Sequence, residues 1–343
     1  MKTKLTIITT TYNQEKYIGQ AIDGMLMQKT KFPFKIVISN DCSTDKTGEI
    51  LEEYRKKHPE IIHIIENKNN LGAMGNFINT LAQIKDTEYV ALCDGDDFWT
   101  DENKLQKQVD FLDANKDFAI CCHKAKLFYQ NGEKVDEIIP RGIQEETTIE
   151  DLVSQNYIVA NSVVYRWALN DKDLKEIFPE NIVPGDYYIH LLHAQNGKIK
   201  MFDEAMSAYR RHEEGMWWSN DSLNKENFTL KYGRKFLNFY NAADKYMKLP
   251  ENAFYAQRKD IIYNIIVTYV RNDMINDISE QIVSEKDKEL YEENMKDIVN
   301  RNIWYIDYLV QRENEPKEIE KLKQELERIK NSRWWKLRKI LKR

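Results

Sequence analysis

The first hundred residues alternate strand-like and helix-like segments, and this alternation constrains the fold more than any other feature of the sequence. The strand-like runs are residues 5–10, 34–39, 61–66 and 89–93. The helix-like runs between them are residues 15–28, 44–58 and 75–84. Strands that alternate with helices of this length pair in parallel, so the pattern predicts an α/β, mostly parallel sheet flanked by helices. Such sheets bind ligands beyond the carboxyl ends of their strands.

Helical periodicity dominates the later part of the chain. Residues 118–208 have a mixed pattern, with short strands predicted around 119–123, 162–165 and 199–202. Residues 222–315 contain almost no Pro or Gly and repeat apolar residues at helical spacing. We therefore predict three parts: an α/β domain over residues 1–220, an α-helical extension over 221–315 and an amphipathic basic helix over 316–343.

Composition and charge exclude several classes of protein. The net charge of −5 is spread along the chain and argues against a general nucleic-acid binder. No run approaches 18 consecutive apolar residues, and the apolar stretch near the N-terminus is too short for a signal peptide. The four cysteines form no C-x-x-C pair, which indicates a reduced, cytoplasmic protein.

The sequence Val90-Ala91-Leu92-Cys93 reads as a buried strand and runs directly into Asp94-Gly95-Asp96-Asp97. Neighbouring carboxylates repel one another and are costly to desolvate. Mg²⁺ or Mn²⁺ would relieve this repulsion while leaving coordination positions open to ligand phosphates. The alternatives are a solvated acidic turn and an aspartate that caps the next helix.

Two other strand ends carry polar clusters that would meet this acidic turn at one sheet edge. The first strand ends in Thr10, Thr11, Tyr12 and Asn13, and the second ends in the run 40–45, which contains Asp41. Each cluster offers hydroxyls and acceptors for a nucleobase or ribose. Taken alone, each is also typical of an ordinary polar loop with a helix cap.

Together these motifs resemble family 2 glycosyltransferases of the GT-A fold over about the first 125 residues. The matching stretches are Thr10-Thr11-Tyr12-Asn13 with Tyr17-Ile18, Asn40 to Thr47, Asn69-Asn70-Leu71-Gly72 with Asn76, and the D-x-D motif Asp94-Gly95-Asp96 with its extension to Leu112. The sequence departs from the family at Asn40-Asp41-Cys42, where two acids and a glycine are usual. Asp41 is therefore the expected contact to the base and ribose.

The resemblance implies an inverting transfer of a sugar from a nucleotide-diphosphate sugar, with a UDP-sugar favoured, to a hydroxyl of a glycan, lipid-linked or protein acceptor. The expected setting is bacterial surface glycan, capsule or glycoconjugate assembly. The resemblance assigns a divalent metal, Mn²⁺ or Mg²⁺, to Asp94, Asp96 and His212. It assigns the nucleotide-sugar to Thr10, Thr11, Tyr12, Asn13, Asp41, Asn76, Asp94, Gly95, Asp97, Arg211 and Trp217.

Glycosyl transfer also needs a carboxylate that removes the acceptor's proton. Asp186 follows Pro184-Gly185 and opens a helix about ninety residues after the D-x-D motif, where the resemblance places the catalytic base. The family usually has an acidic pair here, so only Asp186 is carried over. Its alternative role is a plain helix cap.

The stretch Ala208 to Trp218 reads as a basic, His-containing loop that closes on the diphosphate. In this interpretation His212 binds metal, Arg210 or Arg211 holds phosphate, and Trp217 and Trp218 line the sugar or acceptor site. The alternative is a surface loop with incidental charge.

The C-terminal segment from Arg333 onward carries six basic residues and no acid, interleaved with tryptophan, leucine and isoleucine. At helical spacing this pattern favours peripheral contact with an anionic membrane, on the inner face of the cell membrane for a cytoplasmic protein. A packed terminal helix and the contact of a homodimer are the alternatives.

Two rival functions fit the same α/β pattern. A non-catalytic binding or scaffold protein would keep the fold and bind partners through its helical extension. A sugar nucleotidyltransferase would need a Gly-rich basic loop after the first strand, where this chain has Thr9 to Asn13. A dinucleotide-dependent oxidoreductase is excluded, since no G-x-G-x-x-G follows a strand.

Overall fold

The computed structural model describes residues 3–132, 134–170, 173–179, 181–215, 224–250, 252–272, 274, 277–282 and 284–311. Contacts divide the chain into two compact units, Met1–Ser219 with Ala242–Ala253, and Asn220–Asn241 with Phe254–Arg343. The three-part division at residues 220 and 315 stays a prediction. Its last part, 316–343, lies outside the described residues.

The first unit contains a ten-stranded sheet. Its strands are β1 (Leu5–Thr11), β2 (Phe34–Asn40), β3 (Ile62–Glu66), β4 (Tyr89–Leu92), β5 (Phe98–Trp99), β6 (Phe118–Tyr129), β7 (Glu137–Ile139), β8 (Glu146–Thr147), β9 (Val164–Arg166) and β10 (Lys198–Arg211). The helices of the chain are α1 (Ile18–Leu26), α2 (Thr47–Lys57), α3 (Gly72–Leu81), α4 (Lys104–Ala114), α5 (Ile149–Ser154), α6 (Leu174–Ile177), α7 (Gly185–Ala194), α8 (Lys225–Tyr246), α9 (Tyr255–Arg271), α10 (Ile278–Gln281) and α11 (Glu285–Gln311).

The strand order is β3-β2-β1-β4-β9-β6-β10-β5, with β7 beside β6 and β8 beside β10. Strands β3, β2, β1 and β4 are mutually parallel, and β6 is parallel to β10. Short antiparallel pairings through β9 join these two groups. The predicted mostly parallel α/β sheet flanked by helices is confirmed.

Alternation along the strands decides which side chains reach each face of the sheet. Leu5 and Ile7 of β1, with Ile36 and Ile38 of β2, pack with apolar residues of α1, α2 and α4 in one fully buried core. Helices α3 and α7 cover the other face, where Ser39 of β2 bonds α3. This core holds the carboxyl ends of β1, β2 and β4 in fixed register at one edge.

The described part of the second unit is helical, as predicted. Ile262, Ile265 and Ile266 of α9 are buried, and Arg258 and Asp287 form a buried ion pair. No helix in the described part of the chain combines the length and apolar character needed to cross a bilayer.

Candidate active site

The carboxyl ends of β1 and β4 meet as the alternating pattern predicts. The Gly95 amide donates to the Thr10 carbonyl at 3.1 Å, and the Thr10 hydroxyl donates to the Asp94 carboxylate at 3.3 Å. A Cβ at Gly95 would lie 2.9 Å from the Thr11 Cβ and Oγ1, so no larger residue fits against β1. The glycine therefore lets the acidic turn sit directly on the first strand.

Asp94, Asp96, Asp186 and His212 lie together beyond this edge. His212 Nε2 is 3.1 Å from an Asp96 carboxylate oxygen, and the His212 ring packs on Tyr17 with centroids 4.6 Å apart. Asp94 keeps contact with solvent, but surrounding protein removes much of its hydration. That desolvation, with the charges of Asp96 and Asp186, raises the pKa of Asp94 to about 7.

These residues fit a hard divalent cation. The carboxylates Asp94 and Asp96 offer oxygen ligands and His212 a ring nitrogen, and Asp94 has no ion-pair partner among the described residues. The same residues do not form a complete cage of three or more ligands within the described ranges. Mg²⁺ commonly binds through one or two carboxylates and completes its shell with substrate phosphates and water.

Asp186 lies in the first turn of α7, as predicted. Its carboxylate accepts from the Tyr187 amide at 2.9 Å, and burial raises the pKa of Asp186. Pro184 occupies the cap position, so Asp186 is not the helix cap. A Cβ at Gly185 would lie 3.0 Å from the Cε of Met74 in α3, so the glycine lets α7 pack closely on α3.

Asp41 is buried at the end of β2, and one of its carboxylate oxygens is held from two sides. Oδ1 accepts from Asn67 Nδ2 at 2.9 Å and from the Leu71 amide at 2.8 Å. Asn76 is also buried, but its amide bonds Ser39 and Asn67 instead of facing outward. Asn76 therefore helps to hold Asn67, which donates to Asp41. Direct contact between Asn76 and a ligand stays a prediction.

Tyr12 and Asn13 differ in exposure and contacts. The Tyr12 ring is exposed beyond β1. Asn13 has a left-handed backbone with φ 51°, and its side-chain oxygen accepts from the Thr44 amide at 2.8 Å. The Thr11 hydroxyl donates to Gln14 at 2.7 Å. These contacts tie the first two strand ends together and leave Tyr12 available to a ligand.

Asp97 points into the protein, away from the other acids. It is 1% exposed, and its two oxygens accept from the Arg210 amide at 2.8 Å and from Asn161 Nδ2 at 2.9 Å. Burial and the charges of Asp96 and Asp94 raise its pKa well above the ordinary range. These contacts assign Asp97 an internal supporting position, and its predicted contact with nucleotide-sugar is untested.

The predicted basic loop is partly wrong, because residues 208–211 are the end of strand β10 and not a loop. Alternation along the strand turns Arg210 inward and leaves Tyr209 and Arg211 half-buried. Arg211 stacks over the Tyr209 ring at 4.8 Å, and burial lowers its pKa. Trp217, predicted in the sugar site, lies outside the described residues.

Tyr209 is a residue near the candidate site that the sequence analysis did not predict. Burial raises its pKa, as do the charges of Asp97, Asp96 and Asp186, so the phenol lies within electrostatic reach of all three carboxylates. A strand assignment for residues 208–211 would have placed Tyr209 and Arg211 on one face.

Comparison with known proteins shows the family and the fold of the chain. The model of the family described as Glycosyl transferase family 2 matches residues 6–178, half of the chain. An uncharacterized protein of Mycobacterium tuberculosis is 40% identical over 215 residues, which cover 63% of this chain and 61% of that protein. The poly(ribitol-phosphate) beta-N-acetylglucosaminyltransferase TarS of Staphylococcus aureus is 27% identical over 232 residues, or 66% of this chain and 38% of TarS.

A solved structure of TarS residues 1–349 with UDP-GlcNAc has a similar fold. It superimposes with a TM-score of 0.52 at 21% identity and covers 87% of this chain and 92% of that one. The chain thus spans less than two thirds of the length of both curated relatives.

Proposed function

Since the chain belongs to glycosyltransferase family 2, we propose that it transfers a sugar, with inversion, from a nucleotide-diphosphate sugar to a hydroxyl of a bacterial surface glycan or glycoconjugate. The observation that carries the proposal is the meeting of Asp94, Asp96 and His212 with Asp186 at the sheet edge. Asp94, Asp96 and His212 would bind the metal that neutralises the leaving diphosphate. Asp186 would accept the proton of the acceptor hydroxyl.

Asp41 supports a donor whose base presents an N–H group. One oxygen of the buried carboxylate is held by Asn67 and Leu71, and the other has no hydrogen bond to a described residue. A free carboxylate oxygen can accept from the ring N–H of uracil, thymine or guanine, and also from the exocyclic amino group of cytosine or adenine. TarS, a structural neighbour, binds UDP-GlcNAc. We therefore favour a UDP-sugar.

Asp186 is the proposed general base. Burial raises the pKa of Asp186 toward neutral pH. A general base accepts protons most effectively when its pKa is near the working pH. Asp94, Asp96 and His212 would hold Mn²⁺ or Mg²⁺, which when bound neutralises charge on the departing diphosphate. Thr10 fixes Asp94 by its hydroxyl, and Tyr12 lies exposed at the same edge for the nucleotide.

A thermal-shift screen tests the donor and the metal together. UDP-, GDP-, CDP- and dTDP-sugars are each added with and without Mn²⁺ to the full chain. A ligand that binds only the folded state raises Tm, and we expect one nucleotide to do so in a metal-dependent way. No shift with any donor would favour the non-catalytic scaffold protein.

Turnover then separates an enzyme from a binding protein. We expect metal-dependent release of the nucleotide diphosphate from the donor that raised Tm, and loss of that release in Asp96→Asn at unchanged Tm. Asp110→Asn, an exposed acid on α4, is the matched control. Full activity in Asp96→Asn contradicts the metal role.

A further inference from the structure

Arg210 is the most completely bonded side chain near the candidate site. Its Nε donates to the Asp96 carbonyl at 2.6 Å, Nη2 donates to Gln20 at 2.7 Å, and Nη1 donates to Gln130. Only 5% of the residue is exposed. Each of the three guanidinium nitrogens therefore donates inside the protein, and the burial of the residue limits the access of a phosphate to the remaining N–H groups.

Aromatic rings enclose the same guanidinium. The rings of Tyr17, Phe98 and Phe128 lie 4.9, 5.0 and 5.4 Å from its central carbon. Cations are held over aromatic faces at these distances. The planar fork of arginine is thus fixed in position by stacking as well as by hydrogen bonds.

The backbone of Arg210 adds a second hold on the acidic turn. Its amide donates to Asp97 at 2.8 Å, while its side chain bonds the carbonyl of Asp96. Arg210 therefore forms hydrogen bonds with two consecutive residues of the turn, Asp96 and Asp97. Two residues further along the chain, His212 reaches the Asp96 carboxylate at 3.1 Å.

We propose that Arg210 is a positioning residue that presets the spacing between Asp96 and His212 before the metal arrives, and that it does not bind the diphosphate. This inference rests on the proposed function, because the proposed function assigns a metal ion to Asp96 and His212. Two ligands that are already held in place lose less conformational entropy when the ion binds. Residues that hydrogen-bond to metal ligands commonly affect the affinity for the metal.

Metal affinity tests the inference without requiring turnover. Mn²⁺ binding to the full chain is measured by electron paramagnetic resonance of the free ion, with and without UDP. Arg210→Lys keeps the charge but lacks the fork, and we expect Mn²⁺ to bind about 10- to 100-fold more weakly. Unchanged affinity in folded Arg210→Lys overturns the inference.

The two glutamines keep the test decisive if Arg210→Lys does not fold. Gln20 and Gln130 are exposed, so Gln20→Ala and Gln130→Ala should fold and bind Mn²⁺ more weakly than the wild type, by a smaller factor than Arg210→Lys. The exposed Gln83 provides a control, Gln83→Ala, which should bind as the wild type does. Wild-type affinity in both glutamine variants overturns the inference.

A double variant shows whether Gln20 acts through Arg210. If it does, Gln20→Ala weakens Mn²⁺ binding in the wild type and adds nothing in Arg210→Lys. Fully additive losses contradict a shared mechanism. Absence of Mn²⁺ binding in the wild type itself, with or without UDP, would overturn the metal role in the proposed function, which distinguishes that failure from failure of the inference alone.

Discussion

Asp186 is the carboxylate that the proposed function assigns to the acceptor. If it removes the acceptor's proton, Asp186→Asn should lower kcat by about 10²- to 10⁴-fold and leave donor affinity close to that of the wild type. Transfer assays and calorimetric donor titration measure the two effects. Normal transfer by the variant would mean that another group is the base.

Some residue-level features of the site could be predicted from the sequence and others could not. Polar residues after parallel strands place Asp41, Asp94 and Asp96 at one edge, because strand direction alone decides that. The inward direction of Asp97 depends on a tertiary contact between the acidic turn and the Arg210 amide, more than a hundred residues later. No local pattern encodes such a contact.

The packing of helix α1 on strand β5 depends on one glycine. A Cβ at Gly24 would lie 2.8 Å from the Trp99 amide nitrogen and 2.9 Å from its carbonyl oxygen. Backbone atoms cannot give way easily, so Gly24→Ala should lower the free energy of unfolding by about 1–3 kcal/mol despite the better helix propensity of alanine.

Urea unfolding measures this change, and the same helix offers the control. Gly19 has only the Tyr54 hydroxyl within reach, at 3.7 Å from an added Cβ. Gly19→Ala should therefore leave stability unchanged or raise it. Equal losses in the two variants would mean that contact with β5 is not the cause.

Strand β10 shows why element boundaries were harder to predict than element types. The sequence analysis placed a strand only at residues 199–202, whereas β10 runs from Lys198 to Arg211. Its pairing with β6 shifts register between Phe202 and Ala205 and again before Ser207. These irregularities coincide with the acidic residues Asp203 and Glu204 and interrupt the alternation on which a strand prediction depends.

The stability of the whole molecule should depend on pH through its buried histidines, which include His123, His190 and His193. Burial lowers the pKa of His190 to about 3 and that of His193 to about 4. The unfolded chain binds these protons below about pH 6.5, whereas the folded chain does not. Stability is therefore full above that pH and falls as the pH drops toward 4, by up to about 1.4 kcal/mol per pH unit for each histidine.

Thermal unfolding between pH 7 and 4 checks this slope. His193→Phe keeps an aromatic ring against Tyr165 and Trp167 and should make Tm less dependent on pH. His63→Phe, at an exposed position of β3, should leave the slope as it is. An unchanged slope in His193→Phe would assign the acid sensitivity to other groups.

The second unit has a buried charge pair of its own. Arg258 and Asp287 are 2.6 Å apart and almost fully buried, and Asn241 bonds both. Arg258→Met leaves the Asp287 charge uncompensated and should cost about 3–5 kcal/mol, most of which Arg258→Met with Asp287→Leu should restore. Hydrogen exchange over residues 254–311 measures the change.

The exposed ion pair between Arg55 and Glu52 on α2 is the control for this experiment. Arg55 and Glu52 are 2.7 Å apart at the surface, and Arg55→Met should have little effect there because water screens the charges. A loss in Arg258→Met no larger than that in Arg55→Met would show that the buried pair is replaceable.

The order in which the site residues occur along the chain also has a consequence for synthesis. Asp41, Asp94 and Asp96 leave the ribosome early, whereas Asp186 and His212 belong to α7 and to the segment after β10. A nascent or truncated chain that ends at residue 178, where the family match stops, would contain the acidic turn without Asp186, the proposed base, and without Arg210 and His212. Such a fragment should be catalytically silent, so activity can begin only after the last long strand has been translated.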